Sequence, residues 1–215
     1  MRWRRAPNGR DGIPPHNAHA SHLSRFHDLR RALRRVLLHI HNSVPMTDIP
    51  AAITLRAPRP GDLGWVVSRH GALYAEEYGW NMDFEVLVAR VAADFFATND
   101  PSCERCWIAE RTTSTGTERV GSVFLVRHPD RAGVAKLRML LIDPSARGLG
   151  LGKRLVEECT TFARAAGYHT ITLWTNSILT TARAIYQRAG YQLVQSAPEP
   201  NFGKDLVGET WELTL

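Results

Sequence analysis

The chain has 215 residues, of which 44% are hydrophobic and 22% charged, with a formal net charge of +6. This is globular composition with enough chain for one ordinary domain and a sizeable core; no apolar run approaches the roughly 18–20 residues that span a bilayer as a helix. Three cysteines, Cys103, Cys106 and Cys159, do not make a disulfide framework, and the N-terminus lacks the apolar core of a secretory signal, so a reducing cytoplasm is the expected location.

The charge is unevenly placed. Residues 1–45 hold nine arginines and two acids, whereas the remainder holds 18 basic and 19 acidic residues. The basic character belongs to that first segment, and nucleic acid is not an expected partner of the near-neutral remainder. MRWRRAPNGRDGIPPHNAHASH reads as disordered, and FHDLRRALRRVLLHIH after it has apolar residues at helical spacing. A basic amphipathic helix can touch a membrane surface, an acidic partner or RNA, and the segment also has the look of a transit peptide. The plainer reading is a dispensable extension over 1–45, with the main domain over 46–215.

From residue 52 strands and helices alternate. AITLRA is a short strand, PGDLGWVVSRHGALYAEEYG a helix and FEVLVARVAADFFAT a second helix. CWIAER and RVGSVFLVR are strands joined by the hairpin loop TTSTGTE. VAKLRMLLID is a long strand, and GLGKRLVEECTTFARAAG a helix ended by Gly167. HTITLWTN, YQLVQS and GETWELTL are strands, with the helix TTARAIYQRAG before the second of them. Two strand–helix–strand crossovers in the C-terminal half imply parallel pairing there, and the hairpin implies antiparallel pairing before it. The expected fold class is therefore α/β, a mixed sheet with helices on both faces.

The stretch PSARGLGLGK, residues 144–153, stands where a strand turns into a helix. A helix N-terminus offers unpaired N–H groups and a positive dipole end, and glycine lets a polyanion reach the backbone. Gly148, Gly150 and Gly152, flanked by Arg147 and Lys153, point to a phosphate or pyrophosphate. A tight turn with close helix packing is the competing explanation. The spacing is not a P-loop, because Arg154 follows Gly152–Lys153, and not a dinucleotide-binding loop, because it reads G-x-G-x-G late in the chain.

The run from Leu140 through Arg147, Gly150 and Gly152 resembles the acetyl-CoA motif of the GNAT acetyltransferases, Arg/Gln-x-x-Gly-x-Gly/Ala. Downstream, ARAIYQRAGY from Ala182 resembles that family's second motif, in the right order and spacing. The resemblance covers roughly residues 52–215. RHGALYAEEYGW, CWIAE and VGSVFLV look like the GNAT domains often fused behind MarR-type DNA-binding domains, although too few residues precede the first strand here for such a domain.

The resemblance implies a GNAT-like, mostly antiparallel mixed sheet with a splayed parallel strand pair. It implies transfer of acetyl from acetyl-CoA to a primary amine by direct attack, with acetyl-CoA as cosubstrate and no metal. Leu140, Leu141 and Ile142 would pair with the pantetheine arm, and the N–H groups of Gly148, Leu149, Gly150, Leu151, Gly152 and Lys153 would hold the pyrophosphate beside Arg147. Tyr186 matches the family's general acid. Many members carry an Asn seven residues before that tyrosine; here Leu179 stands there, and Asn176 is the nearest amide to substitute.

The acceptor side rests on residue types. Glu77 is the candidate base, with Glu76 beside it. His70 and Tyr74 precede Glu77 by seven and three residues, so one helix face can gather them around a cationic amine. Trp80 either walls the pocket or packs. Cys103 and Cys106 form a lone CxxC, too few ligands for zinc. The acceptor is a small-molecule or peptide amine, and a homodimer is compatible with the reading. A second function stays open: a non-catalytic acetyl-CoA-binding regulatory module whose basic arm contacts nucleic acid or a partner.

Overall fold

The computed structural model describes residues 52–215, so the expected N-terminal extension and its amphipathic helix lie outside the described residues. Seven strands form one sheet in the order β1-β2-β3-β4-β5-β7-β6. They are β1 (Ile53–Arg56), β2 (Arg105–Thr113), β3 (Gly116–Arg127), β4 (Val134–Ile142), β5 (Thr170–Asn176), β6 (Gln192–Pro198) and β7 (Val207–Thr214). The helices are α1 (Asp62–Tyr78), α2 (Met82–Thr98), α3 (Leu151–Ala165) and α4 (Thr180–Arg188).

The central strands are buried on both faces, and this explains their continuous apolar runs. On one face Val123, Leu125, Leu137, Ile171 and Leu173 pack with Leu155, Cys159 and Tyr186 of α3 and α4. On the other, Ile108 and Phe124 pack with Val66, Phe84, Val88 and Phe95 of α1 and α2. The opening of α1 is fixed by Asp62. Its carboxylate accepts from the Arg59 N–H at 2.6 Å and pairs with Arg56 at 2.6 Å and Arg119 at 3.3 Å. Burial alone would raise this carboxyl, but the bonds from Arg56, the Arg59 N–H and Arg119 hold it below its ordinary value. Asn81 caps α2 by accepting from the Asp83 N–H at 3.1 Å.

Two expectations are corrected. The TTSTGTE loop is mostly strand: β2 runs to Thr113 and β3 starts at Gly116, leaving a two-residue turn whose exit glycine has φ 138°. Only the first crossover, β4-α3-β5, makes a parallel pair. After α4 the chain runs parallel to β5, but β7 inserts between β5 and β6 and pairs antiparallel with both. An antiparallel strand that pairs on both sides serves the same two neighbours that a direct parallel contact would have joined.

One local distortion positions the site. Ser122 pairs with Leu141 and Phe124 with Arg138, so two residues of β4 face one of β3. This bulge carries Met139 in the left-handed region, at φ 52°, and the Ser122 hydroxyl donates to the Met139 carbonyl at 3.1 Å. Pairing with β5 covers only Val134–Leu137 against Thr170–Leu173. Past the bulge the two strands diverge, and the β5-side edge of Leu140, Leu141 and Ile142 faces no strand.

Candidate active site

The gap between β4 and β5 opens on both faces of the sheet. On the α1/α2 face it widens into a cavity of about 380 Å³ lined by His70, Tyr74, Trp80, Phe84, Arg138, Asn176 and Tyr186, among others. A smaller groove of about 120 Å³, lined by Glu77, Leu140, Leu141, Ile142, Arg147 and Ile185, adjoins it. Tyr74, Leu140, Leu179 and Ala182 line both, so the two spaces meet around these side chains.

Beyond the groove stands the glycine loop. A short 3₁₀ turn, Pro144–Ala146, leads from β4 to it, capped by Asp143, which accepts from the Ser145 N–H at 3.0 Å. Gly148 and Gly150 have φ of 77° and 75°, the left-handed values that glycine adopts without strain, with open space where a side chain would begin. Gly152 has a different reason. A Cβ there would lie 2.6 Å from Ile185 Cδ1, so this glycine lets α3 and α4 pack closely. Close helix packing accounts for Gly152, and the left-handed turn for Gly148 and Gly150. Among the described residues no N–H from Gly148 to Lys153 donates to a protein acceptor; the first to do so is Arg154, to the Gly150 carbonyl at 3.1 Å. Six backbone donors, two in the turn and four at the N-terminus of a 15-residue helix, are thus without a protein partner among the described residues.

The expected acceptor cluster spans both spaces, with Tyr74 lining each of them. His70 and Tyr74 line the cavity, their rings stacked with centroids 6.1 Å apart. Glu77 lines the groove instead and is ion-paired with Arg147 at 2.7 Å. One helix face carries all three, with His70 in the cavity, Glu77 in the groove and Tyr74 between them. His70 is fully buried, with Nδ1 2.8 Å from the Val66 carbonyl. A carbonyl only accepts, so Nδ1 carries the proton and Nε2 is left as an acceptor. Burial lowers the His70 pKa to about 4, so the imidazole is neutral at physiological pH.

Tyr186 is buried on α4 and reaches the cavity. Burial, then Tyr74 and Cys159, push its phenol well above the ordinary value, so it keeps its proton and can only donate or accept a hydrogen bond. Asn176, at the end of β5, is 1% exposed, and neither its Nδ2 nor its Oδ1 has a partner. It lies with Tyr186 in the cavity rather than with Arg147 in the groove. Trp80 both walls the cavity and packs, with its ring 4.6 Å from Phe84 and 4.7 Å from Phe202 and its indole N–H unpartnered. Leu179 is the residue just before α4, where it fills the junction of the two spaces.

Sequence reasoning missed several lining residues. Lys136 and Arg138 stand two apart on β4 and so share one face. Among the described residues neither makes an ion pair or a side-chain hydrogen bond. Burial and then Arg138 pull Lys136 below its ordinary value, and burial pulls Arg138 down against the attraction of Asp94. Two cations at alternate positions of a core strand were the available signal. Glu199 also lines the cavity, and accepts from the Trp174 indole N–H at 3.1 Å. The three cysteines are free thiols, and among the described residues no cluster of His, Cys, Asp and Glu could hold a metal ion.

A mixed sheet split at one parallel pair, with an open helix N-terminus at one end of the split and a tyrosine inside it, defines an α/β architecture with a cleft through the sheet. Residues 71–191 match the Acetyltransferase (GNAT) family, and the chain belongs to that family. It is 26% identical over 153 residues to a mycothiol acetyltransferase of Arthrobacter sp., covering 69% of this chain and 45% of that protein. It is 30% identical over 190 residues to one of Nocardioides sp., covering 80% and 61%. The chain spans about half the length of the curated relatives it matches. Among solved structures, a GCN5-related N-acetyltransferase from Kribbella flavida superposes with TM-score 0.61 at 19% identity, over 76% of this chain and 98% of that one. An acetyltransferase structure from Salmonella typhimurium with its cofactor acetyl-CoA superposes with TM-score 0.58 at 17% identity, over 77% and 95%.

Proposed function

We propose that the protein transfers an acetyl group from acetyl-CoA to a primary amine by direct attack. The observation that carries this reading is the row of six unsatisfied N–H groups from Gly148 to Lys153 beside an unpaired strand edge, one end of a path that leads to Tyr186. These residues fit the cosubstrate: the loop takes a pyrophosphate, with Arg147 beside it, and the open edge of Leu140, Leu141 and Ile142 takes the amides of a pantetheine arm as a strand would.

The chain's own residues then divide the work. An N–H near Leu140 stabilises the charge that develops on the thioester oxygen. Tyr186 donates a hydrogen bond to the departing sulfur. A thiol of ordinary pKa about 8.5 is a stronger acid than a phenol of about 10, and burial raises this phenol further, so stabilising the thiolate is its main service. Asn176 offers its unpartnered amide to the groups that meet there. An ammonium of ordinary pKa near 10.4 must lose its proton before attack. Two carboxylates flank the route: Glu77 in the groove, held by Arg147, and Glu199 in the cavity. The relaying carboxylate is the one whose Gln variant loses kcat while retaining acetyl-CoA affinity.

The free cysteines support a reducing compartment, which we take to be the cytoplasm. The binding-module alternative predicts acetyl-CoA binding without turnover. Mixing the protein with acetyl-CoA and a panel of amines, and following CoA release, separates the two. Release above the acetyl-CoA hydrolysis background with any amine establishes the transferase; none, with acetyl-CoA bound, favours the binding module.

A further inference from the structure

The acceptor cavity contains two cations, Lys136 and Arg138, that make no ion pair among the described residues, Asp94 attracting Arg138 only from beyond that distance. Lys136 and Arg138 project from the same face of β4, both half-buried, and each is without a carboxylate within ion-pair distance. Lys136 sits opposite Thr172, on the last stretch where β4 and β5 still pair; Arg138 stands one step beyond, where the bulge opens the gap. Two like charges on neighbouring same-face positions repel, and burial adds to the cost. His70 contributes no charge at neutral pH, and Glu199, the one carboxylate in the lining, accepts from the Trp174 indole and lies beyond ion-pair distance of both cations. A polar group waits at the same place, since the Asn176 amide is 99% buried with both of its polar atoms unpartnered. The opposite wall is apolar, formed by Trp80, Phe84 and Leu87.

We infer that the acceptor is a small amine that carries its own anionic group, of the α-amino-acid type, with its carboxylate held by Lys136 and Arg138 and an apolar side chain against Trp80 and Phe84. The volume of about 380 Å³ is that of a small-molecule site and is shared with the reacting end of the cosubstrate, so the acceptor is compact. Arg138 supplies a planar fork that matches a carboxylate, and Lys136 a point charge beside it. The amine then lies on the Asn176 and Tyr186 side, toward the gap through which the acetyl group arrives. This inference rests on the acetyl-transfer reading but names what that reading leaves open.

The test compares phenylalanine with phenylalaninamide as acceptors for the full-length protein. The two have the same side chain, and the amide's less basic amine favours it wherever charge recognition is absent. A charge-assisted contact is worth about ten- to hundredfold, so kcat/KM for the acid is expected to exceed that for the amide by at least about tenfold. Arg138→Gln and Lys136→Gln should each lower that acid-to-amide ratio by about tenfold, a change that loss of stability alone does not produce. Calorimetry with N-acetylphenylalanine and its amide gives the same comparison without turnover. Equal or better use of the amide, or equal binding of the two products, overturns the inference while acetyl-CoA binding by calorimetry remains intact. If acetyl-CoA itself fails to bind, the transferase reading falls and this inference with it.

Discussion

Gly150 offers a clean perturbation of the loop, because its conformation and its surroundings impose separate costs. Its φ of 75° is left-handed, and a side chain there would meet nothing within 4 Å. An L-residue in that conformation costs about 1–2 kcal/mol, so Gly150→Ala should lower the melting temperature by about 2–8 °C in a domain of this size. Gly150→Glu carries the same backbone cost and adds a carboxylate over the six free N–H groups. It then fills the anion site and repels a second anion. At about 4 Å the repulsion per charge pair is ~1 kcal/mol in water and ~4 kcal/mol at an effective dielectric of about 20, and this exposed loop lies toward the weaker end. Against two phosphoryl charges the loss is about 2–4 kcal/mol, or roughly 30- to 1000-fold in affinity. Calorimetry with acetyl-CoA on both variants, beside thermal unfolding, reads the two effects independently. A Glu variant that binds acetyl-CoA within threefold of the Ala variant would refute the assignment of the pyrophosphate to this loop.

Other outcomes follow from the same geometry. Tyr186→Phe should keep the ring in place and lower kcat at least about tenfold while leaving acetyl-CoA affinity near wild type; a Phe variant with wild-type kcat, where chemistry limits the rate, removes the hydroxyl from the mechanism. Because His70 is buried neutral with a pKa of about 4, below the ordinary 6.5, the unfolded chain binds the extra proton first as pH falls. The penalty is absent above about pH 6.5 and grows to about 3 kcal/mol by pH 4, so His70→Gln should show a smaller loss of melting temperature between pH 7 and 4.5 than wild type; equal losses would contradict the buried neutral state. Every strand pairing among the described residues lies within Ile53–Thr214, so removing residues 1–45 should leave a folded domain that binds acetyl-CoA; a truncated protein that precipitates would show otherwise.

What could be read from the sequence was what local chemistry dictates. The glycine run at 148–152 marked a strand-to-helix turn with either an anion site or close helix packing, and the structure divides the backbone roles, left-handed turns at Gly148 and Gly150 and packing at Gly152. The apolar stripe of α3 and the order of strands before it were legible for the same reason. The acceptor cavity was not. Its cations become neighbours of Asn176 and Trp174 only because a one-residue bulge at Met139 ends the pairing of β4 with β5. Glu199 reaches it only because the chain returns from β6 before β7 inserts beside β5. Glu77 illustrates the limit most directly: helical spacing placed it on a face with His70 and Tyr74, but its nearest cation, Arg147, lies 70 residues away in the chain.

The narrow join between β4 and β5 also bears on how the molecule assembles and comes apart. The first four strands pair strictly in sequence order; β2, β3 and β4 follow one another through short connections, so those three can form from contacts close along the chain, whereas β1 joins them across α1 and α2. The join spans four residue pairs and closes only after α3 has been traversed. The remaining sheet must then receive its last strand between two already placed. The two halves share the core under α3 and α4 but little backbone pairing, so amides at that border should exchange with solvent before those of β2 and β3. Catalytic competence, which depends on the geometry of that border, is thus expected to fade under mild denaturant before the common core is lost.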